Sequence, residues 1–167
     1  MSRTLRLILL LTLLSLVVPA TSQAKDLRKR FGVGFNNNFS SLTSISAKLG
    51  LPTPRDTINV QVQALVGFSV LTNQDNRFFA GGRVLLPIIA EDNLNLYGGV
   101  GGAYVRYHDD AEGARLGAVI GVEFFLFGLE NLGISAEFGL NLDIGVGTLD
   151  IQTTSGTGAS VGAHYYF

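Results

Sequence analysis

The chain has 167 residues, 47% of them hydrophobic and 15% charged, with 21 glycines and neither cysteine nor a tryptophan. Soluble proteins carry about 25% charged residues, and the mixture here excludes a disordered chain, a disulfide scaffold, a cysteine-based zinc module and a coiled coil. Twelve Lys and Arg stand against 13 Asp and Glu, and no basic run is long enough to follow a phosphate backbone, so nucleic acid is not expected as a partner.

Arg3 and Arg6 precede the apolar run from Leu7 to Val18, Pro19 breaks it, and Ser22-Gln23-Ala24 offers small residues where a signal peptidase reads. With Thr12 and Ser15 inside it, the run falls short of the roughly 17 to 25 residues a transmembrane helix needs. Residues 1–24 therefore read as a signal peptide cut before Lys25. Removing its two arginines leaves 10 basic against 13 acidic residues, a net charge of −3. With no cysteine, an exported chain cannot carry a lipid anchor or a disulfide, so packing and backbone hydrogen bonds must hold it together. Residues 25–30, Lys25-Asp26-Leu27-Arg28-Lys29-Arg30, read as a solvated periplasmic lead-in to one domain over residues 31–167.

From there a period of two recurs along the chain. It predicts eight strands: Phe31 to Phe39, Thr43 to Leu51, Ile58 to Val70, Phe78 to Ile88, Leu94 to Tyr107, Ala114 to Phe124, Leu132 to Val146 and Gly158 to Phe167. The alternation is sharpest from Leu132, where Leu132, Ile134, Ala136, Phe138, Leu140 and Leu142 oppose Gly133, Ser135, Glu137, Gly139, Asn141 and Asp143. In Leu94 to Tyr107 either face is acceptable, so its register stays open. Asn, Asp, Gly and Pro clusters fill the connections, including His108 to Gly113 and Gly147 to Gly156.

The polar face is too poor in charge to be the outside of a soluble barrel, and runs of eleven to fifteen residues suit tilted strands crossing a bilayer, which need about 9 to 11. The expected fold is all-β: an eight-stranded antiparallel up-and-down transmembrane β-barrel, apolar outside and small or polar inside. Hydrocarbon tolerates no unpaired strand edge, so the sheet must close. Aromatic placement agrees. Phe39, Phe68, Phe78 and Tyr104 or Tyr107 fall near one rim, and Phe124, Phe127, Tyr165 and Phe167 near the other.

The last ten residues, Gly158-Ala159-Ser160-Val161-Gly162-Ala163-His164-Tyr165-Tyr166-Phe167, resemble the terminal strand of bacterial outer-membrane barrels, which ends in an aromatic with apolar residues at alternate positions before it. With the strand Tyr97-Gly98-Gly99-Val100-Gly101-Gly102-Ala103-Tyr104, residues 31–167 resemble the small OmpA-like and OmpX-like barrels. The resemblance implies a monomer in the outer membrane, surrounded by its lipid, with periplasmic termini. It also implies that the barrel assembly machinery reads Val161, Ala163, Tyr165 and Phe167. The short loops depart from the family and argue against adhesion.

An eight-stranded barrel is just wide enough to be filled by side chains. Inward positions include Lys48, Gln61, Gln63, Arg83, Arg115, Glu123, Glu137, Asn141, Asp143, His164 and Tyr166. Lys48 and Glu123 lie about three residues from the terminal strand ends, and Arg83 and Glu137 about five. A lumen charge network of Lys48, Arg83, Arg115, Glu123, Glu137 and Asp143 is expected, neutral and packed rather than a gate, because buried charges must be paired to be tolerated. The protein then serves a structural or membrane-stabilising role with at most a narrow ion pathway.

Two other readings compete. A lipid-modifying enzyme needs a nucleophile and base in reach, and the chain offers only His108 and His164, without the His-x-Ser-Asn pattern associated with lipid A deacylases. A soluble periplasmic ligand-binding barrel is the other. His108, Asp109, Asp110 and Glu112 cannot all converge from one turn on a metal, and the Gly98 to Gly102 run lacks the Lys and following helix of a phosphate cradle. No catalytic residue, metal or cofactor is expected.

Overall fold

The computed structural model describes residues 25–37, 43–53, 60–71, 74–106, 112–145, 149–154 and 158–167. The leader, Phe39, Tyr107 and His108 to Asp110 lie outside these residues. Among the described residues there are nine strands: β1 (Phe31–Asn36), β2 (Ser44–Gly50), β3 (Gln61–Leu71), β4 (Gln74–Glu91), β5 (Leu94–Arg106), β6 (Glu112–Leu126), β7 (Leu129–Ile144), β8 (Asp150–Thr153) and β9 (Ala159–Tyr166). Each of β1 to β6 pairs antiparallel with the next, β6 pairs with β7, β7 with β9, and β9 with β1, closing an eight-stranded barrel.

The ninth strand comes from the segment expected as a turn from Gly147 to Gly156. β8 pairs with Leu140 to Asp143 of β7, and β9 pairs with Leu132 to Phe138 of the same strand. β8 and β9 are therefore two pieces of one barrel strand. Between them the Gly158 amide donates to the Thr154 carbonyl (3.0 Å). β4 runs longer than expected, from Gln74 to Glu91 rather than Phe78 to Ile88. Pro87, which has no N–H for the ladder, sits where the β4–β5 register shifts, so the strand absorbs it as an irregularity instead of ending there. The β6–β7 hairpin tightens to Phe127-Gly128, with Gly128 at φ 80°, a conformation that favours glycine.

Alternation sends large apolar side chains outward. Ile45 and Phe68 are each 66% exposed and Val100 62%. The register of β5 is settled by burial: Asn95, Tyr97, Ala103 and Val105 face in, while Val100 and Tyr104 face out. At the loop end Phe68 opposes Phe78, whose ring lies 6.3 Å from that of Tyr104; at the terminal end Phe124 meets Phe127 at 6.3 Å and Tyr165 meets Phe167 at 5.2 Å.

The interior holds two apolar clusters. Leu65, Phe79, Ala103 and Val105 fill the β3–β5 side, and Leu27, Phe125 and Tyr166 close the terminal end. The second cluster corrects the expectation of a solvated lead-in. Leu27 is fully buried, because its isobutyl group finds an aromatic floor inside the barrel mouth.

Candidate lumen site

Pleating alone puts the polar side chains inside, since odd-numbered residues of β4 to β7 and even-numbered ones of β2 and β9 share the inner face. All six charged residues picked out above are there, 0 to 7% exposed. They meet as three ion pairs.

Nearest the terminal end, the Lys48 ammonium lies 2.8 Å from Glu123 Oε1 and 5.7 Å from the Tyr97 ring centroid. The Tyr166 hydroxyl donates to both Glu123 oxygens, at 2.8 and 3.0 Å. At mid-height Arg83 grips Glu137 with two nitrogens, at 2.9 and 2.5 Å, while its Nε donates to Gln63 Oε1 at 2.6 Å. Glu137 also accepts from the Tyr97 hydroxyl (2.5 Å), Ser160 (3.3 Å) and Asn36 (3.5 Å). Towards the loop end Arg115 donates to Asp143 through Nε (2.5 Å) and Nη2 (2.6 Å). Three cations against three carboxylates leave this network neutral, and the two-pronged Arg contacts are the strong, directional kind.

Closure of the sheet makes two of these contacts possible. β2 and β6 stand four strands apart on the ring, so Lys48 and Glu123 meet across the full width of the lumen, and Arg83 on β4 reaches Glu137 three strands away on β7. Arg115 and Asp143, by contrast, are direct cross-strand neighbours in the β6–β7 register. Gly121 sits between Tyr97 and Glu137 across β5, β6 and β7; a Cβ there would lie 2.9 Å from Tyr97 Cζ and 2.7 Å from Glu137 Cγ. The missing side chain is the gap through which the Tyr97 hydroxyl reaches the carboxylate.

Tyr97, Asn36, Ser46 and Ser160 are members that sequence reasoning passed over. For Tyr97 the usable signal was Gly121, a small residue beside two large inward ones. Ser46 Oγ lies 2.8 Å from His164 Nε2, with Gln63 Nε2 3.4 Å from the same nitrogen and 2.5 Å from Ser46 Oγ. His164 Nδ1 has no partner among the described residues. Serine and histidine are both 1% exposed or less. Among the described residues no group of three or more His, Asp or Glu is placed to hold a metal. Asn95, also unpartnered there, lines a cavity of about 10 Å³ with Gln61, Leu85, Pro87, Tyr97 and Glu123, room for the centre of one water. On the outer face Val161, Tyr165 and Phe167 are 56, 48 and 72% exposed, with Ala163 partly covered between them.

No family model matches the sequence, and no curated protein does. Among solved structures, the N-terminal β-barrel domain of Pseudomonas aeruginosa OprF is similar in fold, with a TM-score of 0.51 and 12% identity over 84% of this chain and 98% of that one. The chain has the OmpA-like eight-stranded barrel fold.

Proposed function

We propose that this OmpA-like barrel is an integral outer-membrane protein with periplasmic termini, whose filled, neutralised lumen suits it to a structural, membrane-stabilising role with at most a narrow ion pathway. One observation carries the reading: side-chain polarity is inside out. Lys48 and Glu123 are 0 and 1% exposed while Phe138 and Val161 are each 56% exposed, an arrangement that water would penalise and hydrocarbon rewards. The aromatic pairs at both rims match the girdles of such barrels. The signal peptide over residues 1–24 supports export, and the outward Val161, Ala163, Tyr165 and Phe167 suit recognition by the barrel assembly machinery. Outer-membrane lipid is the expected surrounding partner of a monomer.

Mobility of the mature protein on a gel, with and without boiling in detergent, tests the reading when made on separated membrane and periplasmic fractions. A heat-dependent shift in the outer-membrane fraction is expected. A soluble periplasmic protein without a shift overturns it. Planar-bilayer recording of the wild type should give negligible conductance; steady large openings would replace the filled lumen with a pore.

A further inference from the structure

The six residues ahead of β1 cross the barrel mouth. The Lys25 backbone nitrogen, the α-amino group once the leader is cut, donates to the Glu91 carbonyl at the end of β4 (3.3 Å), and the Lys25 side-chain ammonium pairs with Glu130 of β7 (3.2 Å) and stands 5.6 Å from the Phe125 ring centroid on β6. Leu27 clusters with Phe125 and with Tyr166 of β9, whose ring centroids lie 5.8 Å apart. Arg28 donates to the Thr53 carbonyl beyond β2 (3.2 Å), and Arg30 to Asn131 Oδ1 of β7 (3.0 Å). The Lys29 amide donates to the Gly50 carbonyl (2.8 Å), and the Gly50 amide to that of Arg30 (2.9 Å). Residues 27–30 fold into a turn in which the Arg30 amide donates to the Leu27 carbonyl (3.2 Å), and the contacts of the segment run from β4 and β6 on one side to β2 on the other.

Two features mark the crossing as a built fit. Gly50 is buried at the end of β2, and a Cβ on it would fall inside the Leu27 carbonyl. Lys29 takes φ 61°, the one described non-glycine residue in the left-handed region, a strained conformation that persists where its surroundings hold it. One inward position above Phe125 on β6, Glu123 and the unpartnered Asn95 border the cavity described above.

We propose that residues 25–30 form a strap keyed to Gly50 that seals the terminal mouth, and that lifting it admits water and small polar solutes to the lumen layer of Asn95 and Glu123. The inference rests on the fold and not on the membrane assignment. The natural chain has no cysteine, so Asn95→Cys gives a single reporter. In detergent-folded protein, a charged, water-soluble thiol reagent should label that cysteine slowly when the strap is intact. Gly50→Ala, which displaces the strap without touching an ion pair, should raise the rate at least 100-fold. Trypsin should spare Arg28, Lys29 and Arg30 with Gly50 present and cut there in Gly50→Ala. If Gly50→Ala fails to give the heat-dependent gel shift of a folded barrel, Leu27→Asp takes its place with the same expectations. Equal labelling rates in strapped and displaced forms, or rapid tryptic cleavage with Gly50 intact, would overturn the seal.

Discussion

Lys48–Glu123 and Arg83–Glu137 join strands that are not neighbours in the wall, whereas Arg115–Asp143 joins two strands already hydrogen-bonded to each other. The chemistry is the same and the mechanical role is not. A cross-lumen pair brings each member into the other's desolvated space and is supported by third parties, Tyr166 on Glu123 and Tyr97, Ser160 and Asn36 on Glu137. The cross-strand pair neutralises itself near the loop end, with side chains 7 and 9% exposed. Buried charge in this barrel thus ties opposite walls together in its lower and middle layers, and in the upper one it bridges two strands that are already neighbours.

The largest effect should come from Glu137→Ala, which leaves Arg83 buried without its carboxylate and Tyr97 without an acceptor. We expect a loss of about 3–5 kcal/mol, read by urea unfolding followed through gel mobility. Replacing the pair together, Arg83→Met with Glu137→Leu, should cost distinctly less than Glu137→Ala alone, because no charge is then orphaned. Lys48→Ala comes next at about 3 kcal/mol, since the Tyr166 hydroxyl still donates to the remaining Glu123. Asp143→Ala should cost roughly 1–3 kcal/mol, and the uncharged double variant Arg115→Gln with Asp143→Asn should stand near wild type. A loss at Asp143 equal to that at Glu137 would erase the distinction between the two kinds of pair.

The smallest effect concerns the mouth. Arg28 donates to Asp26 through its side chain (2.7 and 2.9 Å) and its amide (3.0 Å), and these bonds hold the Asp26 carboxyl below its usual range. A carboxyl depressed in the folded state stabilises the strap above its ordinary titration range, and that contribution fades as pH falls through the depressed value. An acid-stable protease cutting within residues 25–30 should therefore work slightly faster at the acid end, and Asp26→Asn should remove the pH dependence.

Much of the wall was legible because alternation is a local property. From Leu132 to Asp143 every residue's face follows from its neighbours, and the sign and approximate depth of Lys48, Arg83, Glu123 and Glu137 follow from the same count. Which acid meets which base is only partly local. The β6–β7 hairpin by itself brings Arg115 opposite Asp143, but Arg83 finds Glu137 only after the sheet has curled shut. Tyr97 was hidden because both faces of β5 are small or apolar, so nothing local chose between them. Leu27 was hidden for the opposite reason. Among Lys25, Asp26, Arg28, Lys29 and Arg30 one leucine carries no period, and its burial depends on an aromatic pocket built from β6 and β9, roughly a hundred and more residues further on.

The split between β8 and β9 also decides what holds β8 in place. β1 pairs with Gly162 to Tyr166, so among the described residues no strand covers the far side of β8, and all four residues of β8 are exposed, Asp150 and Gln152 among them. Beyond the level where Phe138 faces Ala159, β7 stays paired with β6 as far as Ile144 opposite Ala114, so β8 is carried on the wall by β7.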